Sequence, residues 1–350
     1  MPIKDIKKYI LSNYLYDVYE IIPIKFKDTD KQRAVYKFST DKGPKCLKKV
    51  YYDEANLLFV YSIIEWFYQS GINVPRILPT ISGNRFVKYN NNLFIVTEWI
   101  DGRKCDYDID ADISMAARNL GRMHKYSYNF LSVHGSYIRK DDINWYKSFN
   151  KKFLQLLLFN NTALKYNDHF CRIYLENLDY FIECAQHAVY ILSLINNNEL
   201  MLPASKFNSI CHLDYVNKNL IITGSDDLYV IDFDKSKIDI PIHDIGSFLK
   251  RILKRNSTNW DFDILLLTLE NYEKERSLTL IEILGLYAYL EFPQKFWKTS
   301  RDYFSNKNDI NKDLFIAMLS KVCDQRNEHY SFCLKFKDYI RKRFNTNYKI

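Results

Sequence analysis

The chain has 350 residues, of which 47% are hydrophobic and 16% aromatic, and it carries a formal net charge of +8 at pH 7. A chain of this length and apolar content can bury a large core and is expected to divide into two lobes. Its apolar runs are well short of the roughly 20 residues needed to cross a bilayer, which excludes a membrane-spanning protein.

The beginning of the chain reads MPIKDIKKYILSNYLYDVYEII, an amphipathic stretch with acidic residues. It lacks the long apolar core and the small-residue cleavage site of a signal peptide, so synthesis in the cytoplasm is expected. The seven cysteines are odd in number and form no CxxC pair, which predicts reduced, mostly packed thiols.

Two strands are predicted near the N-terminus, Arg33 to Phe38 and Lys45 to Tyr51, joined by the turn Thr40-Asp41-Lys42-Gly43. The second strand contains Lys48 and Lys49. Their side chains are expected on opposite faces of the strand, because side chains alternate along it. Without further evidence, both could be ordinary exposed lysines of an edge strand.

A helix is predicted from Asp53 to Gln69, ending before Ser70-Gly71. Glu54 and Glu65 lie about three turns apart in it and therefore share one face. Downstream, the segment NLFIVTEWIDG predicts a buried strand, Leu93 to Thr97, followed by a short connector. Helical apolar spacing then continues from Ala116 to His124, where the histidine is interpreted as a packing residue.

The rest of the chain is predicted to be mainly helical, because apolar residues recur at helical spacing. The predicted helical stretches are Ile143 to Ile195, Asp261 to Tyr272 and Leu278 to Leu290. The basic tail, Lys335 to Lys349, has interleaved aromatic residues. It is interpreted as a docked terminal helix with a solvated face, and RNA binding is the alternative.

One segment carries the chemistry, CHLDYVNKNLIITGSDDLYVIDFD, from Cys211 to Asp234. Two short β-rich runs, Leu220 to Thr223 and Leu228 to Ile231, predict a hairpin that brings its outer ends together. Phosphoryl transfer needs a carboxylate to orient a hydroxyl, a role that fits Asp214, and it needs oxygen ligands for magnesium, a role that fits Asn219 and Asp232.

This segment resembles the active site of the aminoglycoside phosphotransferase and choline kinase superfamily, H-G-D-x-x-x-x-N followed by I-D-[FW]-[DE]. Within it the resemblance is to the CotS-type spore-coat proteins, which carry C-H-x-D and a later I-x-D-[IL]-G-x-[FY]-[LI]-[KR] run. The stretch Ile242 to Lys250, IHDIGSFLK, matches that run. The resemblance implies an α+β, bilobal, protein-kinase-like fold.

The resemblance also implies roles for individual residues. Lys48 would contact the phosphates of ATP, and His212 would brace the catalytic loop. Glu98 and Ile100 would offer backbone groups to adenine at a hinge. Residues 1–97 would form the nucleotide-binding lobe, 98–102 the hinge and 103–350 the helical lobe that carries the catalytic loop.

Three features depart from the superfamily pattern. Leu213 replaces a glycine, and the stretch Ile21 to Tyr36 contains none, so a glycine-rich loop is missing. The glutamate that pairs with the lysine in the family is not identified. Glu54 and Glu65 are both candidates, although the family register points to the vicinity of Tyr61.

The leading hypothesis is an ATP- and Mg²⁺-dependent phosphotransferase that acts on a hydroxyl of a small molecule. The rival is a kinase-fold structural protein of the spore coat with weak or no catalysis, which would have other coat proteins as partners. A nucleic-acid-binding role explains none of the spacing around Asp214. An aromatic and acidic cage for a cationic acceptor is a further hypothesis, with packing in the core as its alternative. Its candidate residues are Trp260, Tyr272, Tyr287, Trp297, Glu270, Glu273 and Glu291.

Overall fold

The computed structural model describes residues 2–27, 33–141, 144–166, 168–305 and 311–345. The chain divides into two compact units: the first contains Met1–Lys140 and Phe207–Ile238, and the second contains Asp141–Lys206 and Asp239–Ile350. The first unit therefore combines the N-terminal sheet with the motif segment. The predicted lobe limits, 1–97, 98–102 and 103–350, follow a different division and stay a prediction.

Five antiparallel strands form the sheet of the first unit in the order β1-β2-β3-β5-β4. They are β1 Val18–Lys27, β2 Arg33–Thr40, β3 Lys45–Val50, β4 Val87–Tyr89 and β5 Asn92–Glu98. The strands predicted around Lys48 and before the connector are confirmed as β2, β3 and β5. The glycine-free stretch Ile21 to Tyr36 includes positions 28–32, which lie outside the described residues.

One face of this sheet is covered by the start of the chain. There α1 Ile3–Asp5 continues into a π-helical turn, Ile6–Ile10, and a 3₁₀ turn, Leu11–Asn13. The apolar side chains of this segment pack against buried sheet residues, among them Tyr36, Phe38, Leu47, Phe94 and Val96. Lys48 follows Leu47 along β3, so its side chain leaves the sheet on the face opposite this core.

The Met1–Lys140 part of this unit also contains two helices, as predicted. They are α2 Glu54–Gln69 and α3 Asp110–Tyr126. Asp53 caps α2, since its carboxylate accepts a hydrogen bond from the backbone N–H of Asn56 at 2.9 Å. His124 lies in α3 with a relative exposure of 1%, which agrees with its interpretation as a packing residue.

The motif segment forms the predicted hairpin. Its strands β8 Leu220–Ile222 and β9 Leu228–Val230 pair antiparallel, and β6 Arg103–Lys104 extends them to a three-stranded sheet. Strand β7 Ile210–Cys211, which precedes the hairpin in the chain, pairs with β10 Lys237–Ile238, which follows it. The loop before the hairpin and the turn after it are thereby held close together.

The described part of the second unit is helical, as the spacing predicts. Its helices are α4 Trp145–Tyr166, α5 His169–Leu194, α6 Asn197–Leu200, α7 Leu202–Ser205, α8 Pro241–Leu253, α9 Phe262–Glu273, α10 Leu280–Glu291, α11 Gln294–Ser305, α12 Lys312–Asp324 and α13 Arg326–Phe344. Ile143 and the tail beyond position 345 lie outside the described residues. Among the helices that can be described, none is both long and apolar enough to span a membrane.

Of the two interpretations of the candidate cage's aromatic residues, the structure supports core packing, which their helical spacing favours, and not the cage. Its aromatic residues are buried, with exposures of 7% for Trp260 and Trp297 and 0% for Tyr272 and Tyr287. Two of the acidic residues already have partners. Glu273 pairs with Arg343 at 2.6 Å, and Glu291 pairs with His187 at 2.7 Å.

Candidate active site

Lys48 is held between two aspartates of the motif segment. Its Nζ lies 2.7 Å from Oδ1 of Asp232 and 2.6 Å from Oδ1 of Asp234. Burial lowers the pKa of Lys48, but the negative charges of Asp234 and Asp232 outweigh it, and the net shift is upward. The lysine is therefore a fixed positive charge that is shared by the two carboxylates.

Asp234 is fixed by a second set of contacts that the sequence did not suggest. The hydroxyl of Tyr52 donates to its Oδ1 at 3.0 Å, and the Arg139 guanidinium donates to its backbone carbonyl at 2.6 Å. The same guanidinium lies over the Tyr52 ring, 4.8 Å from the centroid, and donates to Oδ1 of Asn56 at 2.7 Å. These contacts tie the turn after the hairpin to the start of α2.

The backbone conformation from Asp232 to Lys235 explains how these neighbouring side chains contact different partners. Asp232 has φ +68° and ψ 64°, in the left-handed region, and a 3₁₀ turn, Phe233–Lys235, follows it. Aspartate tolerates this conformation better than most residues. The turn directs Asp232 and Asp234 to Lys48 and directs Lys235 back toward Asp214.

Asp214 is a buried carboxylate with two lysine partners. Nζ of Lys235 lies 2.9 Å from its Oδ1, and Nζ of Lys218 lies 3.7 Å from its Oδ2. Burial raises the pKa of Asp214, but the hydrogen bond and charge of Lys235, with Lys218 and Asn219, outweigh it and bring the pKa below its usual range. Asp214 is consequently ionised at neutral pH.

Asn219 joins the loop to the hairpin. Its Nδ2 donates to the backbone carbonyl of Asp214 at 2.9 Å and to Oδ2 of the same residue at 3.2 Å. The backbone N–H of Ile231 donates to the carbonyl of Asn219 at 3.0 Å, which places Asp232 beside this loop. Within the described residues, Oδ1 of Asn219 makes no hydrogen bond.

His212 braces the loop from inside. Its Nδ1 accepts the backbone N–H of Asp214 at 3.2 Å, and its Nε2 lies 3.2 Å from the carbonyl of Ile231. A neutral imidazole protonated on Nε2 satisfies both contacts. With an exposure of 1%, His212 fits the predicted bracing role better than direct contact with a substrate.

Leu213 occupies the position where the superfamily pattern has glycine. Its backbone conformation explains the preference for glycine at this position. Its φ is +58°, a conformation that glycine adopts without strain and leucine adopts at a cost of about 1–2 kcal/mol. The loop thus keeps the shape that a glycine would give it despite the substitution.

The oxygen atoms around Asp232 suit a hard divalent cation. Asp232 and Asn219 offer carboxylate and amide oxygens, the ligand types that Mg²⁺ prefers. A third oxygen lies close by, since Oδ2 of Asp234 is buried and has no hydrogen-bond partner in the described part of the chain. The donor set fits the predicted metal site.

At the connector, the backbone carbonyl of Glu98 accepts a hydrogen bond from the Thr97 hydroxyl at 3.1 Å. The carboxylate of Glu98, the last residue of β5, accepts from Nζ of Lys45 at 2.7 Å. The backbone N–H of Trp99 donates to the carbonyl of Pro44 at 3.2 Å. No hydrogen bond to the backbone of Ile100 is present among the residues that the structure covers, so the backbone groups of Ile100 fit the predicted contact with adenine.

The two candidate glutamates do not reach Lys48. Glu65 forms a two-point ion pair with Arg76, in which Nε and Nη2 of the arginine lie 3.0 and 2.6 Å from the two carboxylate oxygens. Glu54 is exposed in the first turn of α2. Asp234 takes the place of a helix glutamate as a structural partner of the lysine, a role missed because the two residues are distant in sequence.

The chain is similar to known proteins over most of its length. A family model described as APH, phosphotransferase enzyme family, matches residues 28–278. Spore coat protein S of Bacillus subtilis (strain 168) is 20% identical over 343 residues, which cover 97% of each protein.

Among solved structures, an aminoglycoside phosphotransferase from Alicyclobacillus acidocaldarius subsp. acidocaldarius DSM 446 superposes with a TM-score of 0.82 at 17% identity, over 96% of each chain. The amicoumacin kinase hAmiN, in complex with AMP-PNP, Ca²⁺ and Ami, gives a TM-score of 0.62 at 16% identity, over 93% of each chain. These similarities confirm the predicted kinase-like fold.

Proposed function

Because the chain belongs to the phosphotransferase enzyme family, we propose that it transfers the γ-phosphoryl group of ATP to a hydroxyl group of a small molecule. The observation that carries this proposal is the pairing of Lys48 with Asp232 and Asp234 beside the hydrogen-bonded pair Asp214 and Asn219. A phosphate-binding cation, oxygen ligands for a metal and an ionised carboxylate are the parts that this reaction needs.

Asp214 would orient the acceptor hydroxyl and receive its proton. The acceptor oxygen forms a bond to the γ-phosphorus as the bond to the β,γ-bridging oxygen breaks, and ADP leaves. Lys48 would bind the phosphates, and the backbone of Glu98 and Ile100 would contact adenine. Asp232 and Asn219 would hold Mg²⁺, which when bound neutralises phosphate charge. The solved amicoumacin kinase with AMP-PNP and Ca²⁺ supports a nucleotide and a divalent metal as ligands.

A second function is favoured by a specific observation, the similarity to spore coat protein S over 97% of each protein. In that account the chain associates with the spore coat, and the kinase fold serves in assembly with weak or no catalysis. The lysine bound to Asp214 at 2.9 Å is compatible with it, since a paired carboxylate is a weaker base.

Phosphoryl transfer distinguishes these functions. The full chain, with Mg²⁺ and γ-labelled ATP, would be tested against hydroxyl compounds such as aminoglycosides, amino alcohols and sugars. We expect transfer to at least one class and a fall of roughly 10²–10⁴-fold in Asp214→Asn, because the loss of a catalytic base has effects of this size.

Glu270→Gln is a matched control, because it removes an exposed carboxylate of the second unit that lies outside the candidate site. It should transfer phosphate at the wild-type rate. A wild-type chain that transfers phosphate to no acceptor in any class would favour the structural function. Equal rates in the wild type and Asp214→Asn would refute the role of Asp214.

A further inference from the structure

Helix α4 of the second unit is apolar on two sides. Its inner side carries the buried residues Trp145, Phe149, Leu156 and Ala163. Its outer side carries four leucines with relative exposures from 41 to 63%, namely Leu154, Leu157, Leu158 and Leu164. A helix at the surface of a protein normally has one apolar stripe, toward the core, and a polar outer face. Packing within this unit therefore does not explain the outer leucines.

The outer side follows the heptad spacing of a coiled coil, whose positions are lettered a to g. With Leu154 at position a, Leu157 falls at d and Leu158 at e. The next a and d positions are Asn161 and Leu164. In a coiled coil the a and d side chains pack between the side chains of a partner helix. All five residues are exposed, so they form a coiled-coil surface, the outer seam, that stays open in the described structure.

The charges beside the outer seam are all positive. Lys147 and Lys151 are exposed at one end of it, and Lys165 is exposed at the other. Helix α4 contains no aspartate or glutamate. None of the three ammonium groups forms an ion pair with a residue that the structure describes. A helix that covers the outer seam would therefore gain attraction from acidic side chains along its edges.

A second copy of α4 does not supply this charge. In a parallel pair, Lys147 at an a position would face Lys147 of the other copy. In an antiparallel pair centred near Leu158, the e positions Lys151 and Lys165 of the two copies would face each other. Like charges at such positions repel. The charge pattern consequently favours a different, acidic helix over self-association.

A bilayer surface also suits the outer seam less well than a helix does. Asn161 lies within the seam, with leucines before and after it. In hydrocarbon its amide would lose hydrogen bonds to water without replacement. In a coiled coil, a polar side chain of the partner helix can bond to an asparagine at a, and such a residue fixes the register of the pair. The asparagine thus indicates a protein partner.

We propose that the outer seam of α4 binds one amphipathic helix of another protein, with apolar residues at a and d and with glutamate or aspartate along its edges. Leu154 and Leu157 would pack between side chains of that helix, and Lys151 and Lys165 would pair with its acidic residues. From Lys147 to Lys165 the seam is about 27 Å long at 1.5 Å per residue, which matches about three heptads. It contains none of the residues proposed for phosphoryl transfer.

The test uses two labelled synthetic peptides of about three heptads. Both have leucine at a and d, with asparagine at the central a position. The acidic peptide has glutamate at e and g, and the basic peptide has lysine there. Fluorescence anisotropy measures their binding to the full chain. We expect saturable binding of the acidic peptide, at least tenfold tighter than that of the basic peptide and weakened by salt, because the ion pairs would lie at the surface.

A double variant, Leu154→Ser with Leu157→Ser, tests whether the acidic peptide binds at the outer seam. Both side chains are exposed, so the fold should be kept, which the melting temperature checks. We expect the double variant to bind the acidic peptide at least tenfold more weakly than wild type. Leu334→Ser, which changes an exposed leucine of α13, should bind it as wild type does. Equal binding by wild type and the double variant, equal binding of the two peptides, or no binding would overturn the proposal.

The same double variant tests the other possible occupants of the outer seam. Sedimentation velocity of the full chain detects self-association, and flotation with phosphatidylglycerol vesicles detects membrane binding. We expect wild type and the double variant to behave alike in both measurements. A wild-type dimer that the double variant does not form would assign the seam to a second copy. Vesicle binding that the double variant loses would assign it to a membrane, and either result would overturn the proposal.

Discussion

At the scale of single residues, the motif predicted that Asp214, Asn219 and Asp232 lie close together, but it did not predict the lysines and other residues that they bind. The spacing of Asp214, Asn219 and Asp232 was enough to bring them to one hairpin, because a hairpin is a local structure. The contacts of Lys48 with Asp234 and of Lys235 with Asp214 depend on how distant or oppositely directed segments pack. Sequence periodicity carries no signal for such pairs.

The pairing of Lys235 with Asp214 leads to a pH prediction. The folded-state pKa of Asp214 is lowered, so this interaction stabilises the fold above the unfolded pKa, and that contribution is lost as pH falls through the folded pKa. In Lys235→Met, burial should dominate and raise the pKa of Asp214. We expect the acid limb of its carboxyl titration, followed by NMR, to move to higher pH.

Lys218→Met provides a graded control for that titration. Its Nζ is 3.7 Å from Asp214, compared with 2.9 Å for Lys235, so it should move the titration in the same direction by less. A larger shift in Lys218→Met than in Lys235→Met would show that Lys235 is not the main partner of Asp214 in solution.

At the scale of helices and strands, the sequence patterns predicted the elements correctly where the patterns were long. The helix starting at Asp53, the strands around Lys48 and the hairpin after Asn219 were all predicted near their observed limits. The strand β1 was missed, since Pro23 and two register irregularities interrupt its pattern. The three-residue strand β4 is too short to leave a periodic signal.

A glycine pair tests the packing of the hairpin. A Cβ added at Gly102 would overlap the backbone carbonyl of Ile222 in β8, whereas one added at Gly224 would meet nothing within 4 Å. Backbone cannot move aside cheaply, so Gly102→Ala should lower the free energy of unfolding by about 1–3 kcal/mol. Gly224→Ala should change it by at most about 0.5 kcal/mol. Urea denaturation of both variants measures the difference, and equal stabilities would refute this close approach.

At the scale of the whole molecule, the resemblance found in two segments, Cys211 to Asp234 and Ile242 to Lys250, extends over most of the chain. The family model covers residues 28–278, and the B. subtilis relative matches 97% of the protein. A division into two lobes was expected from the length of the chain, but the segments that make up each compact unit were not predicted. That composition depends on which segments pack together, and the chain returns to the first unit at Phe207 after leaving it at Lys140.

Nucleotide binding tests the central claim most directly. The melting temperature of wild type, Asp232→Asn and the control Glu270→Gln would be followed during titration with ATP, with and without Mg²⁺. A ligand at about 100 times its dissociation constant stabilises a fold by roughly 2.7 kcal/mol, which corresponds to a rise of several degrees. The account predicts this rise with Mg²⁺ in wild type and Glu270→Gln but not in Asp232→Asn. No rise in wild type, or an equal rise in Asp232→Asn, would contradict it.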